Sequence, residues 1–572
     1  MTRQPSQAYV HGCTFSGPAG TVTATTQGEV IPALRRIEAA VAQGLHAAGF
    51  ISYEAAAGLN PHLTTKPPQG DFPLLRFDFY ENRRRQPVPG PADECATSSW
   101  SPTLAEPEYL AAVTRIRELI AAGDCYQVNF TLAERFRFSG APAALAATLL
   151  GNQPTEYGSY LEADRYRIVS ASPELFFSLR DGQLTARPMK GTAPRGRWIE
   201  EDRELAAGLR ENAKERAENL MIVDLLRNDL GMVSETGSVT VPTLFEVETL
   251  PTVHQMTSTV ISRLKQGATL TDVMQALFPC GSITGAPKRR SMEIIAELER
   301  DPRGMYTGCI GYVSPGGEAQ FSVAIRTAVL DLETGTGVLG IGSGITHDSK
   351  AAAEYAECLA KGSFARQQKR EFHLIESLLH DEGGYFLLER HLKRLEESAT
   401  YFGFPFPVAE ARDLLEAQAR GWEGRNKVRL LLFPDGTWHC EAAPLPEGAP
   451  EVNVVLARQS VDSRNRFLYH KTSLRELFSK ELAARPDCGE VFFVNERGEI
   501  TEGSYSNIVV RIGGKLITPR LSCGLLPGVF RSQLLECGEI QEGTITVEDL
   551  HGAEELYMIN SVRKWRRAKL VI

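Results

Sequence analysis

The chain has no surplus of positive charge to offer a polyanion: 62 lysines and arginines are outnumbered by 71 aspartates and glutamates, for a net charge of −9. The basic field that holds nucleic acid is therefore missing, and an anionic substrate has to be met by local cations, from arginine, lysine or a metal. No uninterrupted apolar run reaches the roughly 18 residues of a membrane span. The start, MTRQPSQAYVHGC, lacks the apolar core of a secretory signal. The ten cysteines are scattered without a C-x-x-C pair, which excludes a disulfide framework and predicts a reduced, cytoplasmic protein. Internal repeats and long low-complexity tracts are missing too.

What remains is the composition of an ordinary globular protein, 42% apolar and 23% charged. At 572 residues the chain exceeds what one hydrophobic core sustains, so at least two domains are expected. Residues 1–103 mix strand-like runs, GFISYEA and PLLRFDFYE, with turn signals, and close on the Pro-rich, charged ENRRRQPVPGPADE, read as a loop or boundary. From Glu106 the text turns helical, PEYLAAVTRIRELIAAGD, with apolar residues at helical spacing and Gly123 as a stop. Strand-like and helical segments then alternate to about Phe364, and the charged FARQQKREF is a candidate junction. Beyond it comes a hairpin-like FHLIESLLHDEGGYFLL, a helix ERHLKRLEESATYFGF, and strands such as NKVRLLLFPDG and NIVVRIGGKLITP joined by turn dipeptides. The pattern predicts an α+β protein of two enzymatic units, about 1–367 and 370–572, the first divided into an N-terminal part (1–103) and a catalytic core (104–367).

Two Glu-x-x-Glu pairs stand far apart, Glu215 and Glu218 in KERAENLMIVDLLRNDLG, Glu354 and Glu357 in AAAEYAECLAK. Spacing of i,i+3 puts each pair on one helix face. A lone copy is usually a solvated face, but four carboxylates brought together call for a hard cation, and Mg2+ prefers oxygen donors. The strings GSITGAPKRRSMEII, CIGYVSPGG, SVAIRTAVL and GIGSGITHD resemble loops and strands that present backbone N–H groups to an anion.

Together with SPELF, PMKGTAPR and IVDLLRNDLG, these strings closely resemble the chorismate-utilising family of anthranilate, aminodeoxychorismate, isochorismate and salicylate synthases, in unbroken order over about residues 105–365. The resemblance implies a large two-layered α+β sandwich with the site between its sheets. It implies that Glu218 and Glu357 hold Mg2+, supported by Glu215 and Glu354, and that the metal grips the ring carboxylate of chorismate. Arg326, Tyr306 and the backbone of Gly342 and Gly344 should take the enolpyruvyl carboxylate, for which a guanidinium fork is well shaped. Thr192 and Thr284 should line the ring, with His254 near its leaving hydroxyl.

Two positions discriminate within the family. The water-using branch carries a lysine base where this chain has Gln127, and an amide cannot deprotonate water. Anthranilate synthases have alanine where PMKGT has Lys190, as aminodeoxychorismate synthases do. The family mechanism then implies attack of Lys190 on ring carbon 2, protonation of the departing hydroxyl by Glu174, and displacement of the lysine by ammonia. The G-x-C-x-G-x-[QE] motif of a glutamine amidotransferase occurs nowhere in the chain, so a separate amidotransferase subunit is the implied ammonia source.

RFLYHKTSLRE, NERGEITEGSYSNIVV, CGLLPGVFR and YMINSVRKWRRA resemble the class IV pyridoxal-phosphate enzymes, which include aminotransferases and aminodeoxychorismate lyase. The resemblance implies Lys471 as the Schiff-base lysine, Glu502 as the partner of the pyridine nitrogen, and a phosphate site from Arg394, the Val529 and Phe530 N–H groups and Ser561. It also leaves room for a homodimer through this C-terminal domain. The family's extra N-terminal strand and Tyr-Gly segment are not found before FHLIES; the first unit abuts it. These motifs do not separate lyase from aminotransferase, but the fusion favours lyase, since the first unit's product is the lyase substrate. The expected function is synthesis of 4-aminobenzoate for folate, by Mg2+-dependent amination and then pyridoxal-phosphate-dependent loss of pyruvate. The alternative is an anthranilate synthase component I carrying a class IV aminotransferase or a scaffolding domain.

Overall fold

The strand-like runs of the first unit pair into long antiparallel ribbons. A computed structural model describes residues 8–68, 70–86, 94–366 and 370–571. The PVPGPAD stretch of ENRRRQPVPGPADE, the middle of FARQQKREF and the first seven residues lie outside these. Contacts group the chain into one unit of Met1–Ala193 with Gly208–Lys369 and a second of Pro194–Ala207 with Arg370–Ile572.

In the first unit one run of strands passes from Cys13–Ala24 through Leu75–Arg85, His46–Ile51, Cys309–Ser314, Glu318–Val323, Leu175–Arg180, Gln183–Arg187 and Val253–Arg263 to Thr240–Thr249. A second runs from Cys95–Pro102 through Gln127–Gly140, Thr336–Ile345, Thr327–Asp331, Tyr166–Ser170 and Ser159–Ala163 to Ala8–Val10. Ala8–Val10 also pairs with Cys13–Ala24 and joins the two runs. Residues before and after 103 share the second run, through Cys95–Pro102 on Gln127–Gly140.

Apolar side chains of both runs, among them Val10, Phe15, Phe50, Ile168 and Ile310, meet in one cluster, the inner layer of the sandwich. Helices close the other faces. Val30–Ala42, Ala213–Val233 and Leu270–Leu277 pack with Phe77, Phe177 and Phe321 of the first run. Glu106–Ala121 and Ala351–Gly362 pack with Phe130, Leu339 and Ile341 of the second. Strands covered on both sides read as continuous apolar text, as in the fully buried CIGYVS of Cys309–Ser314.

The second unit holds a four-stranded antiparallel sheet, Gly384–Tyr385, Leu374–Asp381, Asn426–Leu432 and Trp438–Pro444, packed against helices Leu388–Phe402 and Val408–Ala419. It also holds an eight-stranded mixed sheet whose central strands include Glu451–Leu456, Lys564–Leu570 and Glu555–Asn560. All ten cysteines are unpaired, and among the described residues no helix is long and apolar enough to cross a membrane.

Candidate active sites

The first site is set by where two helices begin and what two strands deliver. Asn212 accepts hydrogen bonds from the backbone N–H groups of Lys214 (3.0 Å) and Glu215 (3.1 Å), a cap worth about 1 kcal/mol that starts the helix Ala213–Val233 one turn ahead of Glu218. The helix Ala351–Gly362 turns Tyr355 and Cys358 inward and leaves Glu354 and Glu357 on another face. Strand Met189–Pro194 carries Lys190 and Thr192, and Thr336–Ile345 carries Gly342 and Gly344. One cavity of about 260 Å³ is lined by Lys190, Thr192, Glu174, Tyr306, Arg326, Gly342, Gly344 and all four glutamates.

Charge in this cavity is balanced by lysines. Lys190 Nζ lies 3.5 Å from Glu218, Lys214 Nζ 3.9 Å from it, and Lys361 Nζ 2.6 Å from Glu357. Burial raises the pKa of Glu215, and the negative charges of Glu218 and Glu357 push it further. Burial opposes ionisation of Glu357 as well, but Lys361, Lys190 and Arg326 outweigh it and hold that carboxyl low. An all-oxygen donor set with one carboxylate raised by its acidic neighbours suits a hard divalent cation, although among the described residues no three acidic, His or Cys side chains already stand in a ligating cluster.

Lys190 is held from behind. Asn219 donates to its carbonyl (3.1 Å) and accepts from Ser258 Oγ (2.6 Å), while Gln255 donates to Gly191 O (2.7 Å). A Cβ on Gly344 would stand 2.4 Å from Lys190 Nζ and 2.5 Å from Gln127 Nε2, so only glycine leaves the amine where it is. Gln127 is buried, and neither polar atom of its amide has a hydrogen-bond partner. Glu174 is buried and accepts from Ser282 Oγ (2.6 Å); burial raises its pKa to about 7. Arg326 has φ 52, a costly conformation outside glycine. Its carbonyl accepts from Ala171 N–H (3.0 Å) and its guanidinium donates to Lys361 O, which hold it there.

Two predicted residues stand apart from this cavity's lining. His254 is buried in Val253–Arg263 with Nδ1 3.2 Å from Thr249 Oγ1. Thr284 is buried, its hydroxyl on Cys280 O and Gly281 O, and its neighbours Ser282 and Ile283 reach the cavity instead. The sequence reading missed Lys361, Lys214 and Gln255. Lys361 follows Glu357 at i+4, a spacing that could have found it; Gln255 is legible only through the strand pairing.

In the second unit Lys471 lies within electrostatic reach of Arg394, Arg475, Glu376 and Glu502, and burial with the two arginines lowers its pKa to about 7. Glu502 is buried and accepts from Arg475 (3.4 Å) and Leu526 N–H (3.2 Å); burial raises its pKa while these donors oppose the rise. Arg394 clasps Glu376 (2.9 and 2.6 Å) and donates to Pro527 O (3.0 Å). Although buried, Glu376 is kept down at about 2 by Arg394 and His391. Pro527 directly precedes Gly528, the cap of the helix Val529–Glu536, where the first N–H groups have no partner within the helix. Gly528 is required, since a Cβ would lie 1.9 Å from Asn507 Oδ1. Ser561 is buried just past the strand Glu555–Asn560. An amine, a buried carboxylate, a guanidinium and a helix start are the donor set pyridoxal phosphate needs. Glu376 and Arg475 were not anticipated; no motif marks them.

Residues 3–367 match the model of the chorismate binding enzyme family, and the chain belongs to that family. Residues 373–571 match the class IV amino-transferase model. The chain is 43% identical over 293 residues to aminodeoxychorismate synthase component 1 of Klebsiella aerogenes, covering 51% of this chain and 63% of that protein. It is 39% identical over 264 residues to anthranilate synthase component 1 of Aquifex aeolicus, covering 46% and 53%. The chain thus spans between half and two thirds of these relatives. Anthranilate synthase component I from Streptococcus pneumoniae superposes with a TM-score of 0.56 at 26% identity, over 64% of this chain and 94% of that one.

Proposed function

We propose that the chain makes 4-aminobenzoate from chorismate in two steps, with ammonia delivered by a separate glutamine amidotransferase. The observation that carries this reading is Lys190, an amine on the same cavity as four carboxylates, Arg326 and the buried acid Glu174. Relatives named for either product are nearly equally similar, so overall identity does not choose between them. Lys190 supports 4-amino-4-deoxychorismate, since the resemblance gives anthranilate synthases an alanine there, while Gln127 speaks only against the water-using branch.

Glu218 and Glu357, supported by Glu215 and Glu354, hold Mg2+, which supplies positive charge for the ring carboxylate of chorismate. Arg326 takes the enolpyruvyl carboxylate in its fork, with Tyr306 beside it. Lys190 bonds to ring carbon 2 as the hydroxyl leaves carbon 4 with a proton from Glu174. That acid, raised to about 7, keeps a proton near neutrality where an ordinary carboxyl would not. Ammonia then bonds to carbon 4 and the Lys190 bond breaks, so the balance is chorismate plus ammonia to 4-amino-4-deoxychorismate plus water. Gln127 cannot act as a base on water, which supports amination over hydration.

In the second unit Lys471, Glu502, Arg394, Ser561 and the Val529–Phe530 N–H groups hold pyridoxal phosphate, which supplies an electron sink. Lys471, lowered to about 7, is available as a free base near neutrality and takes the ring proton beside the amine. The bond from ring carbon 3 to the enolpyruvyl oxygen then breaks, the departing enolate takes up a proton to become pyruvate, and the ring becomes aromatic. In the test, Lys471→Ala in the full chain is expected to stop at 4-amino-4-deoxychorismate, and added keto acids are expected to leave the wild-type yield unchanged. An unchanged 4-aminobenzoate yield in Lys471→Ala, or a yield that depends on keto acids, would refute the lyase reading.

A further inference from the structure

Residues Pro194–Ala207 lie in sequence between Lys190 and Glu215 and inside the stretch matched to the chorismate binding enzyme family, yet they fold as part of the second unit. The segment opens in a tight turn. Gly196 N–H donates to Asp202 (2.7 Å), and a Cβ there would meet Asp202 N at 2.1 Å. Arg195 closes the turn with a buried fork on Asp202 (2.8 and 3.0 Å).

It is docked at two points, one on the helix that carries Arg394 and one two residues before Lys471. The first is Tyr401, near the end of the helix Leu388–Phe402 that carries Arg394. Its hydroxyl donates to Gly196 O (2.6 Å), its carbonyl accepts from Arg195 (3.1 Å), and the Arg195 guanidinium lies 4.3 Å over its ring. The second is Tyr469, two residues before Lys471. Arg197 donates to its hydroxyl (3.2 Å) while paired with Glu201, and the Trp198 ring packs against it at 5.0 Å. His470, between Tyr469 and Lys471, packs at a tilt against the Tyr401 ring at 4.4 Å and meets Ser398 Oγ at 2.9 Å. Trp198, Ile199 and Glu200 also line, with Arg394, His470 and Val529, a cavity of about 260 Å³.

We propose that Arg197 and Trp198 are positioning residues for Lys471, holding Tyr469 and His470 so that the lysine keeps one orientation and walling the cavity beside Arg394. The inference rests on the reading that Lys471 carries pyridoxal phosphate. It follows from connectivity: a lysine two residues from a clamped tyrosine and one from a packed histidine has little backbone freedom, and removing the clamp restores that freedom and admits water. The depressed pKa of Lys471 fits such an enclosure.

The test titrates pyridoxal phosphate into the full-length wild type, Arg197→Ala, Trp198→Ala and Trp198→Phe, reading the absorbance band of the lysine-bound cofactor across pH, with thermal unfolding to establish that each variant is folded. Arg197→Ala and Trp198→Ala are expected to bind the cofactor about tenfold or more weakly, the scale for losing a supporting contact. Both are also expected to shift the pH at which the band changes, and Trp198→Phe is expected to restore affinity and pH profile. No band in the wild type would sink the reading of Lys471 and this proposal with it. A normal wild-type band with wild-type affinity and pH profile in Trp198→Ala would overturn the proposal alone. So would weakened affinity with an unmoved pH profile, which would mark a merely structural contact.

Discussion

Two lysines, one in each unit, are made ready for chemistry in opposite ways. Lys190 stands 3.5 Å from a carboxylate, Glu218, on a cavity lined by three more. Lys471 has two guanidinium groups and little water around it, and its pKa falls to about 7. The first amine is engaged by Glu218, so it is free to attack only when something else takes that carboxylate. The second needs no such exchange. On the proposed function, the first site is governed by its metal and the second carries its base built in.

The sharpest way to break this comparison is Lys190→Ala. Formation of 4-amino-4-deoxychorismate should fall by roughly 10⁴-fold or more, the scale of losing a covalent nucleophile. Supplied 4-amino-4-deoxychorismate should still be converted to 4-aminobenzoate. Near-normal chorismate turnover in this variant would remove Lys190 from the mechanism.

Glu174→Gln is the next largest. Because burial raises Glu174 to about 7, its protonated, donating form is lost as pH rises through that value, so wild-type synthase activity should decline above about pH 7. The glutamine variant should lose roughly 10²-fold or more in rate and lose that alkaline limb with it. A limb that persists in Glu174→Gln belongs to another group.

Gly344→Ala probes placement alone. With a Cβ 2.4 Å from Lys190 Nζ, the amine has to move by about an ångström, for which a loss of about 10²-fold in turnover is expected with chorismate affinity largely kept. Full turnover in Gly344→Ala would mean that the amine's position is not critical. Smaller still, Glu218→Gln and Glu357→Gln should each raise the Mg2+ needed for half-maximal activity by about tenfold or more, judged by the 10–100-fold cost of lost metal-site partners. A variant that keeps the wild-type Mg2+ titration is not a ligand.

Much of both sites was legible in the chain, for a local reason. Lys190 and Thr192 sit two residues apart on one strand, and each acidic pair sits one turn apart on one helix, so motif and geometry coincide. What was not legible depends on pairing across the fold. Gln255 reaches Gly191 only because Val253–Arg263 lies beside that strand, Asn219 reaches Lys190 O from the helix Ala213–Val233, and Glu376 matters only because Leu374–Asp381 presents it to Arg394. His254 and Thr284 carry the right motif but turn their side chains into the protein, onto Thr249 and the Cys280–Gly281 carbonyls. The segment PRGRWIEEDRELAA reads as an ordinary acidic helix with its approach. Nothing in its composition marks a passage into the other unit, because the signal is the match between Arg195, Arg197 and Trp198 and two tyrosines more than 200 positions away.

The most direct test is product analysis of the purified full-length chain incubated with chorismate, Mg2+ and ammonium, with and without pyridoxal phosphate. The account predicts 4-amino-4-deoxychorismate alone when the cofactor is withheld, and 4-aminobenzoate with pyruvate when it is present. Anthranilate as the product, in either condition, would contradict it.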